Sequence, residues 1–109
     1  MNVAYDDFLK LNIRIGQILA AEKIEGADKL LKLQVNFGAQ IGHRQIVSGI
    51  SQWYKPAQLI GAQAPFVINL EPRVIRGVES QGMILAAAPD NKAVILKPRK
   101  KVPPGTKVK

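Results

Sequence analysis

The sequence predicts an all-β fold, a small closed barrel of short strands. Residues 31–37 alternate strictly, with Leu31, Leu33, Val35 and Phe37 on one face and Lys32, Gln34 and Asn36 on the other. That period of two makes a strand with one dry and one wet face. Further short apolar segments recur between Gly, Pro, Asn and Asp turn signals, the pattern of an all-β domain. The length, 109 residues with 47% hydrophobic and 22% charged, suits a single ordinary globular domain over residues 1–109.

The elements follow in order. Asp6 to Leu11 reads as a short helical turn, with an Asp placed to accept free amide hydrogens at its start. Asn12 to Ile24 is a long strand with a bulge or bend expected near Gly16. Glu25 to Asp28 turns, Lys29 to Phe37 is the second strand, Gly38 to Gly42 turns again, and His43 to Ser48 is the third strand. Ser51 to Leu59, with Trp53, Tyr54 and Pro56, suggests one or two short helical turns. Ala64 to Leu70 is a fourth strand, placed at a sheet edge by Pro65. Glu71 to Gly77 is a loop or short turn, Gln81 to Ala88 a fifth strand, Pro89 to Asn91 a turn, and Lys92 to Lys97 a last short strand. The pattern alone does not separate an OB-fold from an SH3-like barrel. The helical insert after the third strand favours an OB-fold, a five-stranded Greek-key barrel, here with an extended C-terminal segment.

The charge is unevenly spread. The chain has 16 Lys and Arg against 8 Asp and Glu, a net +8. Residues 97–109 hold six of those basic residues and no acid, so the rest carries 10 basic and 8 acidic residues, a net +2. Pro98, Pro103, Pro104 and Gly105 prevent this strip from forming a helix. It is either a solvated tail or an arm that contacts phosphates. The excess of positive charge makes nucleic acid the leading class of partner.

Much chemistry is excluded. With no Cys there is no disulfide, thiol nucleophile or zinc ribbon, and the single His43 has no partner in the sequence for catalysis or metal binding. Asp6 and Asp7 are neighbours and point apart, so they make no acid/base pair. Nothing resembles a phosphate-cradling GxxxxGK loop. The longest apolar run, Met83 to Ala88, is far short of a membrane span, and Asp6 and Asp7 interrupt any leader-like stretch. The expectation is a non-enzymatic, cytoplasmic protein that needs no cofactor.

Four stretches carry a resemblance. They are Asn12-Ile-Arg-Ile-Gly16; Gly26-Ala-Asp-Lys-Leu-Leu-Lys-Leu-Gln-Val-Asn-Phe-Gly38; Arg44-Gln-Ile-Val-Ser-Gly-Ile50; and Leu59-Ile-Gly61 with Asn69-Leu-Glu-Pro-Arg73 and Arg76-Gly-Val-Glu-Ser-Gln-Gly-Met-Ile-Leu-Ala-Ala87. In this order and spacing they resemble the tRNA-binding domain family over roughly residues 6–109. That family includes the C-terminal domain of methionyl-tRNA synthetase, its beta-subunit relatives and stand-alone structure-specific tRNA-binding proteins. The CsaA chaperones share the fold. The 76–87 pattern resembles the synthetase type, although Asn12 and Asn36 stand where the family usually has Asp.

The resemblance implies an OB-fold that pairs as a homodimer and grips the outer corner of the tRNA L by shape. It also implies, as a possible partner, the catalytic part of methionyl-tRNA synthetase. On this reading Lys32, Gln34 and Asn36 line the wet face, while Lys29, Arg73 and Arg76 reach phosphates from loops. Ser80 either hydrogen-bonds its own turn or contacts the ribose-phosphate. Met83 either packs in the core or touches a base beside the binding loop. Arg14 is open between a salt bridge and RNA, and Trp53 and Tyr54 read as packing residues. The rival readings are a CsaA-like chaperone for unfolded peptides and a general single-strand binder.

Overall fold

A computed structural model describes all residues, 1–109. The long strand β1 (Ile13–Ile24) pairs antiparallel with β2 (Ala27–Asn36), which pairs with β3 (His43–Ser48). On its other side β1 pairs with β4 (Gln63–Val67), and β4 pairs with β7 (Met83–Ile84). The sheet order is therefore β3-β2-β1-β4-β7. Gln81 N–H donates to the Gln45 carbonyl at 2.8 Å, bringing the chain just before β7 back to β3 and curling the sheet into a barrel. This is the OB-type barrel that the helical insert after the third strand favours. No helix is long and apolar enough to cross a membrane.

The alternation of β2 fixes the inside. Leu31, Leu33, Val35 and Phe37 are buried and form the core with Ile18, Ile46, Ile50, Leu59, Ala64, Phe66, Ile68 and Ile84. Phe37 and Phe66 meet edge to face, 5.3 Å apart, a geometry that contributes about 0.5–1.5 kcal/mol beyond area burial. Gly16 sits beneath this pair of faces. A Cβ there would overlap Val35 Cγ1 and lie 2.6 Å from Phe37 Cε1.

Several expectations are corrected. The bulge of β1 lies at Leu19, between the pairs Ile18↔Val35 and Ala20↔Gln34, and Gly16 is instead a point of close packing. β4 is not an edge strand, since β1 and β7 flank it. Pro65 is tolerated because its partner Ile15 turns its own N–H and carbonyl toward residues 105 and 106, away from β4. The missing N–H then falls on the β7 side, beyond the last strand pair Phe66↔Ile84, where the Pro65 carbonyl accepts the Leu85 N–H at 3.0 Å. Residues 71–77 are not a plain loop: β5 (Arg73–Ile75) and β6 (Val78–Ser80) form a hairpin. The expected strand Gln81–Ala88 splits after Ile84, and β8 (Ala86–Ala87) pairs separately with β9 (Val94–Ile95). The first helix, α1 (Tyr5–Leu9), has Ala4 at its N-cap and no side-chain cap, and Asp7 pairs with Lys10 at 3.0 Å instead. The Gly38–Gly42 turn contains one helical turn, α2 (Gly38–Ile41), and the insert contains α3 (Pro56–Leu59).

The C-terminal strip is docked from residue 102 onward. Ile15 N–H donates to the Thr106 carbonyl at 2.8 Å, Gly105 N–H to Ile15 at 2.7 Å and Val108 N–H to Ile13 at 2.9 Å. Arg14 makes no salt bridge; its guanidinium donates to Asn12 Oδ1 at 2.8 Å and to the Gly105 carbonyl at 3.2 Å. From residue 105 the strip covers the edge of β1, so this part of it is not a solvated tail.

Gly16→Ala tests this packing. The added methyl should destabilise the fold by about 1–3 kcal/mol, read as a lower urea midpoint with an unchanged slope. An unchanged midpoint would show that Val35 and Phe37 move aside freely.

Candidate nucleic-acid interface

The outward face of β2 is polar because the alternation puts Lys32, Gln34 and Asn36 there. β3 sets Gln45 opposite Gln34 and His43 opposite Asn36, and β1 sets Glu22 opposite Lys32. Lys32 Nζ lies 2.7 Å from Glu22 Oε1, so its charge is partly spent within the face. Gln34 Nε2 donates to Gln45 Oε1 at 3.0 Å. Asn36 Oδ1 accepts the Gly38 N–H at 2.8 Å and anchors the turn into α2.

The β5–β6 hairpin is fastened beside this face. Ser80 is buried, and its hydroxyl oxygen accepts the Val47 N–H at 2.9 Å while donating to the Gly82 carbonyl at 3.0 Å. Gln45 Nε2 donates to the Glu79 carbonyl at 2.8 Å, and Gln45 N–H donates to Gln81 Oε1 at 3.0 Å. Arg44 donates to the carbonyls of Ile68 and Gln81. These bonds fix both ends of a short ribbon too small to be stable alone.

The hairpin presents the cations. Arg73 pairs with Ser80 at its base, and Arg76 occupies the tip. Arg76 and Gly77 have φ of 53° and 79°. Two central residues with positive φ mark a type I′ turn, whose twist matches the flanking strands. A non-glycine residue in that conformation costs about 1–2 kcal/mol, which the anchoring bonds offset. Arg73, Arg76 and Lys29 are exposed and none has a carboxylate partner.

Of the sequence-predicted site residues, Lys32, Arg73, Arg76 and Ser80 gather around β3 and the hairpin. Met83 follows three residues after Ser80 on β7, 46% exposed and therefore not a core residue. Lys29 and Asn36 do not join each other. Seven residue steps of extended strand separate them, about 23 Å at ~3.3 Å per step. Sequence reasoning missed Gln45 and Gln81 as the fasteners of the hairpin; the only signal was Gln45 on the wet side of β3.

Comparison with known proteins now decides the family. Residues 13–107 match the family model described as "Putative tRNA binding domain". The chain belongs to that tRNA-binding domain family. The domain is 47% identical over 109 residues to methionine–tRNA ligase of Parabacteroides distasonis, covering 99% of this chain and 16% of the ligase. It is 52% identical over 103 residues to the ligase of Methanothrix thermoacetophila, covering 94% of this chain and 15% of that enzyme. The chain thus spans about a sixth of the length of these relatives. Among solved structures, it is similar to a MetRS-related protein from Pyrococcus horikoshii, with TM-score 0.93 and 38% identity over 99% of this chain and 98% of that one. It is also similar to the chaperone CsaA from Bacillus anthracis, with TM-score 0.92 and 32% identity over 100% of both chains.

In this tRNA-binding domain the polar face, the fastened hairpin and unpaired arginines form one surface. Ser80→Ala should lower stability by about 1–3 kcal/mol, the cost of leaving the Val47 N–H unpartnered in a buried position. Arg76→Gly should leave stability equal or higher, because glycine meets no penalty at positive φ. Thermal melts of the two variants check both; a stable Ser80→Ala protein would show that the hydroxyl is not the fastener.

Proposed function

We propose that this domain binds folded tRNA by shape and backbone contacts at the outer corner of the L, through the β1–β3 face and the β5–β6 hairpin. The observation that carries this reading is the rigid hairpin, which holds Arg73 and Arg76 exposed and free of carboxylate partners beside an amide-rich strand face. Lys32, Asn36 and Met83 extend that surface, Lys29 at the far end of β2 is a separate phosphate contact, and Ser80 serves by holding the hairpin in place. Cations on a fixed ribbon contact phosphates without reading sequence, and RNA recognised in this way is selected by shape. The domain works in the cytoplasm, either as a stand-alone protein or as a module of methionine–tRNA ligase. As a module it raises the local concentration of tRNA for the catalytic part, and the aminoacylation chemistry belongs to that part.

The active form is a homodimer. Tyr5, Phe8 and Leu9 of α1 are exposed together with Leu11 and Leu70. Asn69 links their two segments, accepting the Asn12 N–H at 2.7 Å and donating to the Lys10 carbonyl at 2.7 Å. An apolar cluster of this kind favours association. Light scattering should give a mass near twice 11.9 kDa, and Phe8→Asp/Leu9→Asp should return the monomer. A wild-type monomer at micromolar concentration would refute the dimer.

The likeness to CsaA together with these exposed apolar residues favours a second reading, a chaperone for unfolded peptides. A filter-binding titration with folded bulk tRNA, the same tRNA denatured without magnesium, and a hydrophobic unfolded peptide separates the readings. Folded tRNA should win, with steep salt dependence. Arg73→Ala and Arg76→Ala should each weaken tRNA binding and reduce the salt slope by about one. Preference for denatured RNA would indicate a single-strand binder, and preference for peptide would indicate the chaperone.

A further inference from the structure

We propose that the groove between α3 and the basic segment 97–101 is a second contact for the RNA phosphodiester backbone, separate from the hairpin face. This rests on the tRNA reading above and adds a site to it. The groove is open to solvent, with a volume of about 640 Å³. Tyr54 and Gln58 form one wall, and Lys97, Arg99, Lys100 and Lys101 form the other.

Three features point to an anionic chain. First, all four cations are exposed, no acidic residue lines the groove, and the two ion pairs of the chain lie elsewhere, at Lys10–Asp7 and Lys32–Glu22. Four like charges within five residues repel one another, and a polyanion relieves that repulsion. Second, the segment is anchored at its C-terminal end before any ligand arrives. The Gln63 amide clasps the backbone of Val102, donating to its carbonyl at 2.6 Å and accepting its N–H at 3.1 Å. Gln63 and Ser80 are the buried polar side chains of the molecule, and each fastens a cationic element to the barrel. Third, the opposite wall is fixed too, because Ile95 N–H donates to the Tyr54 hydroxyl at 3.1 Å. Fixed walls reduce the ordering cost of binding. Three lysines and an arginine on one short strip suit successive phosphates and carry no base information. The groove therefore adds affinity and salt dependence without altering which tRNA is chosen.

The test compares two double variants of equal charge change. Lys100→Gln/Lys101→Gln alters the groove, and Lys92→Gln/Lys109→Gln alters exposed cations outside both sites. Neither pair makes a side-chain hydrogen bond or ion pair, so both proteins should fold, and circular dichroism confirms it. Bulk tRNA binding is titrated across a salt series. The groove variant should lower the slope of log K against log salt by about 1.4–1.8, from ~0.7–0.9 per lost phosphate contact. The control should change it by less than half of that. Equal slopes for the two variants would overturn the groove site. An unmoved tRNA titration with lost binding to poly-glutamate would assign the groove to acidic polypeptides and also overturn it. Arg73→Ala/Arg76→Ala on the same titration separates this failure from failure of the tRNA reading. If that variant loses affinity while the groove variant does not, only the groove falls; if the unmodified domain ignores tRNA, both fall.

Discussion

Twelve residues of β1 must satisfy backbone hydrogen bonds on both edges, and no single neighbour is long enough to do it. From Gln17 to Ile24 one edge is taken by β2. From Ile13 to Gln17 the other edge is taken by β4. As β2 departs, residues 105–108 move in beside Ile13 and Ile15. Gln17 is the point of exchange, paired with both Asn36 and Gln63. An unpaired buried backbone group is costly, so this division of partners decides the placement of nearly every other element. It also explains why Gly16 has no side chain: at the exchange point the strand passes directly against Val35 and Phe37.

The interface inherits its rigidity from a small set of polar side chains. The barrel core is apolar, and its two buried polar residues, Gln63 and Ser80, lie where peripheral segments meet it. Each satisfies main-chain groups that the adjoining strand leaves open. A buried polar group is tolerated only when its bonds are complete, and no buried side-chain polar atom here lacks a partner. The same bonds that meet this requirement hold the cationic hairpin and the basic strip at fixed positions. Stability and presentation of charge are therefore achieved by the same contacts.

Electrostatics completes the picture. The barrel proper is nearly neutral, and Lys32 is occupied by Glu22 on the strand face. An exposed pair of that kind stabilises by at most about 1 kcal/mol, but it removes a free cation from the face. Arg73 and Arg76 on the hairpin and the four cations of residues 97–101 have no carboxylate partner.

Much of the frame was legible in the residues themselves. The alternation from Leu31 to Phe37 determined the inner and outer faces of β2, because a pleated strand separates neighbours whatever surrounds it. The third strand, the helical insert and the ordered motifs from Asn12 to Ala87 were readable for similar local reasons, and with them the family. Pro65 misled, since its lack of an N–H implies an edge only if the partner needs that donor, and Ile15 bonds elsewhere. The β5–β6 hairpin was hidden by its length and by an Arg-Gly tip in place of the usual Asn-Gly. Whether Ser80 faces solvent or Val47, whether Lys32 is free or paired, and whether residues 97–109 form a tail or a docked strip depend on contacts between distant segments. The sequence by itself determined the strands, their faces and the excess of positive charge. Only the tertiary structure decided where that charge stands, because the bonds that hold it join residues more than thirty positions apart, such as Gln63 to Val102 and Val47 to Ser80.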